Sequence, residues 1–533
     1  MKTPLEVLRI YAPHDYTLTG VLNSRRAQRG EAPMILDESG QGLTWNEGAK
    51  AIDALARSLA ARGVLPGDRV AIVARNGREH VFLLFALARL GAIMVPINPE
   101  FGVPELRYAL GHAQVSGVVL DEAVRSAVDQ ALQESGVEAW RVLVDGLGAH
   151  GLPSLQQWQD NAPSIDLPAS PSADAPCLMI FTSGTTGYPK GVLHSQRSIL
   201  LVGEANLGRM RLQPEDRILI VLPFFHVNAL CYSLCGMIAA GCALIVTPRF
   251  SASRFWSIVV DTGATVVNFI EAMGNILKSR DRSEFRKDHR IRVAYGIRQS
   301  SYKAFQEEFG IANLLSGFGM SEVPGVTCNP YGEPGKPGSM GVLAQHPDPA
   351  QPWAQCRVVD DKGDDVEADV VGELWVRTPV CMLGYFNDPE QTSAAFQDGW
   401  FRTGDMVRRD ADGWFFYVSR AKDIIRRRGE NIAGAELDRV VGEHPAVYEA
   451  AAIAVPSELG EDDILVAAVL NPGTSLDAQG VAQWCRERLA AHKVPRYVVF
   501  VDSIPHTATH KIAKSLMRQD TTLRERATDL QRG

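Results

Sequence analysis

An alternation of helix-type and strand-type apolar patterns near the N-terminus constrains the fold most. Residues 46–63 (NEGAKAIDALARSLAARG) place apolar side chains at helical spacing and end at Gly63, and residues 68–74 (DRVAIVA) form a short apolar run. A second helical pattern at 80–91 (HVFLLFALARLG) is followed by a second apolar run at 92–99 (AIMVPINP). Strands that alternate with helices pair in parallel, so the pattern predicts an α/β domain with helices covering a parallel sheet.

The pattern changes twice along the rest of the chain. Three further buried strands are predicted at 218–225, 243–248 and 265–270, and these extend the α/β body. Beyond residue 350 the turns become Asp-Lys-Gly and Asp-Gly, which indicates a β-rich part with hairpins. After about residue 420 a smaller α+β unit begins. We therefore predict an N-terminal core over residues 1–420 and a small C-terminal domain over 421–533.

Charge and composition exclude several classes of protein. The 533 residues exceed what one core usually holds, and 46% are hydrophobic, which is ordinary for a soluble enzyme. The net charge of −8 argues against a general nucleic-acid-binding surface. The first residues, MKTPLEVLRIYAPHDY, lack the apolar core of an export signal. We expect a cytoplasmic enzyme without a membrane span, and a homodimer is a further expectation.

The apolar stretch 229–246 (ALCYSLCGMIAAGCALIV) carries Cys231, Cys235 and Cys242. Its length makes it the best membrane-span candidate, but its glycines and the prolines on either side favour a helix followed by a buried strand. Its cysteines could be buried reduced thiols or part of a metal site, and the apolar surroundings favour thiols.

The stretch 181–191 (FTSGTTGYPKG) surrounds one lysine with glycines and hydroxyl residues. Glycine lets the backbone approach a polyphosphate closely, successive N–H groups bind anions, and Lys190 can neutralise charge. The spacing differs from the Walker phosphate loop, because two residues separate Gly187 from Lys190. The alternative is a Gly/Thr-rich surface turn.

Five more motifs follow this stretch in order, and together they resemble the adenylate-forming superfamily of acyl-CoA synthetases, luciferases and adenylation domains. They are GFGMSE (317–322), GELWVRTPVCMLGYFNDPEQT (372–392), GWFRTGD (399–405), GWFFYVSRAKDIIRRRGENI (413–432) and PHTATHKIAK (505–514). Residues 415–431 and 455–467 are most similar to the crotonobetaine/carnitine-CoA ligase group. The resemblance implies a large α/β core with a β-rich part and a mobile C-terminal domain. It also implies a ligase that converts ATP and a carboxylic acid into an acyl-adenylate and pyrophosphate, and then transfers the acyl group to coenzyme A.

The resemblance also implies roles for individual residues. Glu322 corresponds to the Mg²⁺ carboxylate, with Thr182 as a second ligand, Phe318 to the residue beside adenine, and Lys511 to the lysine at the α-phosphate. Lys422 corresponds to the hinge of the C-terminal domain. The remaining nucleotide-binding and CoA-binding candidates are Ser183, Gly184, Thr185, Thr186, Gly187, Lys190, Gly319, Ser321, Asp405 and Arg420 for ATP, and Gly429, Glu430 and Asn431 for the pantetheine tunnel.

A pocket for the acid is expected next to these motifs. Its candidates are His226, Asn228, Asn268, Phe269, Met273, Tyr295 and Gly296, and His226 is also a catalytic candidate because the family's histidine moves between the acyl pocket and the thiol tunnel. Glu271 and Arg298 could recognise a charged group on the acid or act as capping or surface residues. Two departures affect the site: Tyr295, Gly296 and Ile297 replace a Gly-Gly-Ala-Pro-like turn, and His510 replaces a glycine before Lys511.

Three other functions remain to be weighed. An adenylation enzyme that loads a carrier protein would share the motifs, although no carrier-like segment follows Lys514. A non-catalytic nucleotide-binding regulator should have lost Lys190, Glu322, Asp405 or Lys511, and all four are present. A luciferase-like oxygenase shares the first half-reaction and stays open.

Overall fold

The computed structural model describes residues 1–146, 151–182, 189–427, 430–457, 462–507 and 511–531. Its internal contacts divide the chain into two units. The first unit comprises residues 1–182, 190–355 and 376–401, and the second comprises residues 183–189, 356–375 and 402–533. The boundary expected after residue 420 is that of a mobile C-terminal domain. Internal contacts do not show which part of the chain moves, so this boundary stays a prediction.

The alternating N-terminal pattern forms the first sheet of the first unit. Its helix Trp45–Ala61 begins at a capping box, in which Thr44 accepts from the Glu47 backbone N–H and the Glu47 side chain accepts in return. The following strands Arg69–Val73 and Ile93–Ile97 are buried and pair in parallel, which confirms the prediction. In spatial order the described strands of this sheet are Gly384–Tyr385, Gly191–Ser195, Pro176–Phe181, Ile93–Ile97, Arg69–Val73, Gly117–Leu120 and Trp140–Leu143.

A second sheet of the first unit contains the three later strands predicted from sequence. Most of its neighbours are parallel, and the hairpin at Pro33–Leu36 and Gly42–Thr44 adds an antiparallel edge. The described strands in spatial order are Asn313–Leu315, Val293–Tyr295, Val266–Asn268, Arg217–Ile220, Ala243–Val246, Pro33–Leu36 and Gly42–Thr44. The small sheet that carries GFGMSE consists of Gly317–Phe318, Thr327–Cys328 and Val342–Leu343.

Helices pack around both sheets. The described helices of eight or more residues in this unit are Leu18–Arg29, Trp45–Ala61, Arg78–Leu90, Val103–Ala113, Arg125–Ser135, Gln196–Met210, Phe255–Thr262 and Glu271–Ser279. One continuous core joins most of them and includes Trp45, Phe85, Phe224 and Phe269.

The stretch 229–246 is a buried helix followed by a buried strand, as the sequence predicts. A π-helix at Asn228–Leu234 continues into the α-helix Cys235–Ala240, which ends at Gly241 with a φ of 63°. Strand Ala243–Val246 follows. Cys231, Cys235 and Cys242 are buried thiols. No helix in the described part of the chain is both long and apolar enough to cross a bilayer.

The second unit combines the β-rich part with the C-terminal α+β part. The β-rich strands are Gln355–Val359, Val371–Arg377, Trp400–Arg409 and Phe415–Arg420, and the last two form an antiparallel hairpin. Strands Val447–Pro456, Asp462–Leu470, Tyr497–Phe500 and Thr528–Asp529 form the C-terminal sheet. Helices Gly434–Gly442 and Ala478–Arg486 bury Leu437, Val441, Val481 and Cys485 in the core of this part. The α/β class with a β-rich part is confirmed.

Candidate active site

The Gly/Thr-rich loop is held closed at its two ends. It joins the antiparallel strands Pro176–Phe181 and Gly191–Ser195. The Thr182 N–H donates to the Lys190 carbonyl at 2.9 Å, and the Lys190 N–H donates to the Thr182 hydroxyl oxygen at 3.1 Å. Both ends are therefore fixed to the first sheet. Five predicted phosphate contacts lie outside the described residues: Ser183, Gly184, Thr185, Thr186 and Gly187.

The Lys190 ammonium group has two neighbours that the sequence did not point to. It donates to Gln391 Oε1 at 2.8 Å, and it lies 4.4 Å from the centre of the Tyr385 ring. A cation over an aromatic face is attracted by the ring quadrupole. These contacts hold Lys190 in one position beside the loop.

Tyr385 also contacts Glu322. Its side chain therefore links Lys190, the predicted phosphate ligand, to Glu322, the predicted metal ligand. The Tyr385 hydroxyl donates to Glu322 Oε1 at 2.9 Å, and the Met382 N–H donates to the Glu322 carbonyl at 2.8 Å. Glu322 is only 8% exposed. Its Oε2 has no hydrogen-bond partner among the described residues. A carboxylate with one oxygen oriented and the other available is a suitable Mg²⁺ ligand, and the Thr182 hydroxyl is a second oxygen donor of the kind Mg²⁺ accepts.

A buried histidine fixes the segment before Glu322. His194 is fully buried, and its Nε2 lies 2.7 Å from the Ser321 carbonyl oxygen. Burial lowers the pKa of His194 to about 4, so the ring is neutral near pH 7 and donates from Nε2. The Glu322 backbone is therefore anchored to strand Gly191–Ser195 through an uncharged hydrogen bond.

The glycines of GFGMSE are required by close backbone approach. A Cβ on Gly317 would lie 2.2 Å from the Thr327 carbonyl oxygen, and one on Gly319 would lie 2.4 Å from both the Gly325 nitrogen and the Tyr232 hydroxyl. Phe318 lies between them and is half-buried, which leaves part of its ring accessible to a ligand.

Several predicted acid-pocket residues lie where parallel strands end. Asn268, Tyr295 and Leu315 are the last residues of three neighbouring strands and are paired in register. Ligands of α/β proteins bind beyond the carboxyl ends of such strands. Gly296 follows directly with a φ of 92°, and a Cβ there would lie 2.1 Å from the Phe269 carbonyl oxygen. Glycine is therefore required at this turn.

The π-helix Asn228–Leu234 borders the same strand ends. Asn268 donates to the Ser233 hydroxyl at 2.7 Å. The side-chain carbonyl oxygens of Asn228 and Asn268 are buried without a hydrogen-bond partner in the described structure. π-helical turns are frequent at functional sites, and two buried acceptors without partners suit a ligand that donates hydrogen bonds.

The other pocket candidates differ in what they contact. The His226 ring lies 4.5 Å from the Phe225 ring and is half-buried. Met273 is also half-buried, whereas the Phe269 ring packs in the core against Phe255. Phe269 therefore contributes its backbone at the Gly296 turn.

Glu271 caps the turn after Gly296. Its two carboxylate oxygens accept from the Arg298 N–H at 2.6 Å and from the Ser301 hydroxyl at 2.8 Å. The Arg298 side chain is exposed. Of the two interpretations of Glu271, the capping one agrees with the structure.

Asp405 and Arg420 lie opposite each other in the hairpin of the second unit. Asp405 is 1% exposed, and its Oδ1 lies 2.9 Å from Arg420 Nε. Arg420 also donates to the Thr403 carbonyl at 2.9 Å. The preceding Gly404 has a φ of 67°, and its N–H donates to Glu373 at 3.1 Å. The carboxylate predicted to bind ribose is thus held in a fixed orientation.

Lys511 lies within the influence of this ion pair. The Thr507 N–H donates to the Lys511 carbonyl at 2.7 Å, and the Lys511 N–H donates to the Thr507 hydroxyl at 3.2 Å. Lys511 is exposed as a residue, but burial around its ammonium group lowers its pKa. The positive charge of Arg420 lowers this pKa further, and the negative charge of Asp405 opposes both effects.

The predicted hinge and thiol segments are described in part. Lys422 lies in the 3₁₀ turn Ala421–Asp423, and Glu430 and Asn431 begin strand Glu430–Ala433. Gly429 and His510 lie outside the described residues. In the basic run before Gly429, Arg427 is 6% exposed and forms an ion pair with Asp463 at 3.1 Å, so it is a buried structural residue.

Sequence reasoning missed Tyr385, Gln391 and His194. Tyr385 and Gln391 belong to the motif at 372–392, so the motif marked the segment without indicating which side chains reach Lys190. His194 had no signal, because a polar residue in a short buried strand is identified only by its partner, the Ser321 carbonyl.

Comparison with known proteins identifies the family of this chain. Residues 22–386 match the family described as AMP-binding enzyme, and residues 436–511 match the AMP-binding enzyme C-terminal domain. The chain is 32% identical over 507 residues to a sulfoacetate–CoA ligase of Cupriavidus necator, covering 93% of this chain and 96% of that protein. It is 27% identical over 476 residues to a crotonobetaine/carnitine–CoA ligase of Escherichia coli, covering 86% and 89%.

Solved structures show the same fold. ATP-bound MatB from Rhodopseudomonas palustris matches with a TM-score of 0.83 and 25% identity, covering 95% of this chain and 98% of that one. A Mycobacterium tuberculosis fatty acyl CoA synthetase matches with a TM-score of 0.75 and 26% identity, again covering 95% and 98%. The protein therefore belongs to the AMP-binding enzyme family and is an ATP-dependent ligase that joins a carboxylic acid to coenzyme A through an acyl-adenylate.

Proposed function

We propose that Glu322, Lys190 and Thr182 bind the metal and the phosphates of ATP in the first half-reaction. The observation that carries this proposal is the Tyr385 side chain, which hydrogen-bonds Glu322 at 2.9 Å while its ring lies 4.4 Å from the Lys190 ammonium. Mg²⁺, held by Glu322 and the Thr182 hydroxyl, would neutralise negative charge on the phosphates. Ser321 and Gly319 shape the same segment, and Phe318 would stack on adenine.

Asp405 and Arg420 are proposed to bind the ribose, and Lys511 to act at the α-phosphate. A carboxylate accepts hydrogen bonds from both hydroxyls of a cis-diol. The influence of Asp405 and Arg420 on the Lys511 pKa supports a lysine that acts beside the ribose. An ammonium group there would stabilise the charge that develops as the carboxylate attacks.

In the second half-reaction the C-terminal domain is proposed to rotate about Lys422 and to present Gly429, Glu430 and Asn431 to the pantetheine of CoA. Lys422→Pro should then leave adenylate formation nearly intact and slow thioester formation, because proline fixes a φ that has to change. Equal loss of both half-reactions in this variant would remove Lys422 as the hinge.

The acid is proposed to lie beyond the ends of strands Val266–Asn268 and Val293–Tyr295, between the Gly296 turn and the π-helix. The relatives named above act on acids as different as sulfoacetate and crotonobetaine or carnitine. Their names therefore leave the acid of this enzyme to its own pocket residues. His226 is proposed to border both this pocket and the thiol path.

We place the reaction in the cytoplasm, where CoA and reduced thiols occur together. The eight cysteines are free, and six of them are buried. A homodimer is part of the same proposal, and light scattering of the purified protein measures it.

Pyrophosphate exchange into ATP across a panel of carboxylic acids tests the proposed function. At least one acid should support exchange, and adding CoA should yield its thioester, identified by mass. Exchange without a thioester would point to a carrier protein as acceptor, and no exchange with any acid would contradict the assignment of the site.

A further inference from the structure

One buried arginine near the proposed acid pocket has no counterion among the described residues. Arg209, near the end of helix Gln196–Met210, is 6% exposed. It donates to Asn206 Oδ1 at 3.2 Å and to the Gly325 carbonyl. Its Nε is buried with no partner, and no described carboxylate forms an ion pair with it. Of the five N–H groups of this guanidinium, only two donate to acceptors among the described residues.

Two other arginines of the first unit, the buried Arg25 and the partly buried Arg292, use more of their donors or carry a counterion. Arg25 is 1% exposed, donates to the carbonyls of Ile238 and Ala239, and lies 3.9 Å from the Tyr11 ring. Arg292 forms an ion pair with Asp216. Because burying a charge is costly when its donors lack partners, the Nε of Arg209, which has no partner in the described structure, calls for a ligand.

A chain of contacts links Arg209 through Gly325 and Tyr232 to Tyr295 at the proposed pocket. A Cβ on Gly325 would lie 2.0 Å from Arg209 Nη1, so the guanidinium lies directly against the Gly325 backbone. The Gly325 N–H donates to the Tyr232 hydroxyl at 2.9 Å, and the Tyr232 ring meets the Tyr295 ring edge-on at 5.6 Å. Tyr295 ends its strand immediately before the Gly296 turn.

The positive charge of Arg209 influences the pKa values of Tyr232 and Tyr295. Burial raises the pKa of Tyr232 to about 12, and the positive charge of Arg209 opposes that rise. The same charge opposes the rise caused by burial at Tyr295. The positive charge of Arg209 therefore acts on the two tyrosines that link it to the proposed pocket.

We propose that Arg209 binds a second anionic group on the acid, so that the enzyme prefers acids that carry a carboxylate or sulfonate besides the carboxylate that is activated. A planar guanidinium with unused N–H groups matches either anion in a bidentate manner. This inference rests on the proposed acid pocket. It assigns the preference for a second anionic group to Arg209 on helix Gln196–Met210. The exposed Arg298 has no part in this preference.

Matched acids test the inference on the wild-type enzyme first. Pyrophosphate exchange is measured with dicarboxylic acids of three to six carbons, with sulfonate analogues, and with the monomethyl esters of the dicarboxylic acids. At the best chain length the dianion should have a kcat/KM roughly tenfold or more above its ester, as expected for hydrogen bonds to a charged group. A wild-type enzyme that prefers the ester at every length would overturn the inference, while exchange with the esters would still support the proposed function.

Variants then assign the preference to one residue. Arg209→Met should lower the ratio of dianion to ester by roughly 10- to 100-fold, and Arg209→Lys should lower it less because the charge remains. Arg197→Met, at the start of the same helix where the side chain is partly exposed and paired with Asp174, should leave the ratio unchanged. If Arg209→Met slows all acids alike, Arg209 only supports Gly325 and the inference fails.

A binding measurement keeps the test independent of turnover. The best dianion should raise the thermal unfolding temperature of the wild-type protein more than its ester does, and this difference should disappear in Arg209→Lys or Arg209→Met. If Arg209→Met does not fold, the wild-type acid panel and Arg209→Lys decide the question. No exchange with any acid would instead indicate failure of the proposed function itself.

Discussion

The loops Thr182–Lys190 and Thr507–Lys511 are closed by the same pair of hydrogen bonds, but their lysines have different surroundings. In each loop the threonine N–H donates to the lysine carbonyl, and the lysine N–H donates to the threonine hydroxyl. The Lys190 ammonium is held by Gln391 and the Tyr385 ring. The Lys511 ammonium has a lowered pKa and is influenced by Arg420 and Asp405.

This difference is consistent with different proposed roles for the two lysines. Lys190 is fixed in place, whereas Lys511 is proposed to be brought to the α-phosphate when the C-terminal domain rotates. An amide and an aromatic ring fix the position of Lys190 without neutralising it, which suits permanent binding of phosphates. Lys511 is influenced by a cation and an anion of its own unit, so its pKa depends on Arg420 and Asp405. Four predictions test whether the two lysines differ in this way.

The largest effect is expected for Lys511→Ala. A pair of unit charges about 4 Å apart is worth about 4 kcal/mol at an effective dielectric constant near 20, and partial screening reduces this. Adenylation should slow by roughly two to three orders of magnitude. Supplied with synthetic acyl-adenylate and CoA, the variant should form thioester at nearly the normal rate. Equal damage to both half-reactions would contradict delivery of Lys511 to one of them.

Lys190→Ala should have a smaller effect on adenylation, roughly 10- to 100-fold, because Lys190 is partly solvated and the loop keeps its other donors. The loss should appear mainly as a higher KM for ATP. Lys190→Arg, which keeps the charge, serves as the control. A loss as large as that of Lys511→Ala would remove the distinction between the two lysines.

Tyr385→Phe separates the two contacts of Tyr385. The variant loses the hydrogen bond to Glu322 and keeps the ring over Lys190. The Mg²⁺ concentration for half-maximal adenylation should rise roughly three- to tenfold, the value of a hydrogen bond of about 1 kcal/mol. Tyr385→Leu should add a higher KM for ATP. An unchanged Mg²⁺ dependence in Tyr385→Phe would show that Tyr385 does not position the metal carboxylate.

The smallest effect is a shift in pH dependence. The proposed role of Lys511 requires its protonated form, so kcat/KM for adenylation should fall as the pH rises through the Lys511 pKa, which is lowered in this protein. Arg420→Gln removes a like charge and should raise that pKa, which moves the alkaline limb to higher pH by less than about one unit. Arg420→Lys keeps the charge and should leave the limb in place, as should Lys190→Ala. Movement to lower pH in Arg420→Gln would contradict the assigned sign.

Periodicity and motif order were sufficient to predict the fold class and the segments of the site. The helix Trp45–Ala61 and the parallel strands after it follow from apolar spacing and a capping box, which are local features. The link from Lys190 through Tyr385 to Glu322 joins residues up to 195 positions apart, and no local pattern encodes it. Arg209 was missed for the same reason, since its lack of a counterion is a property of its neighbours in space. Nor does the sequence show that Arg427, which stands between two other arginines, forms a buried ion pair with Asp463.

The Gly296 turn limits how this enzyme can evolve toward other acids. Gly296 has a φ of 92°, and there is no room for a Cβ against the Phe269 carbonyl oxygen. Any single substitution at residue 296 would therefore displace the end of a strand. Its neighbours Tyr295 and Ile297 have no such backbone constraint. Mutations that alter acid specificity should therefore occur at residues 295 and 297, while residue 296 stays glycine. A library randomised at residues 295 to 297 should return glycine at residue 296 in nearly every active clone.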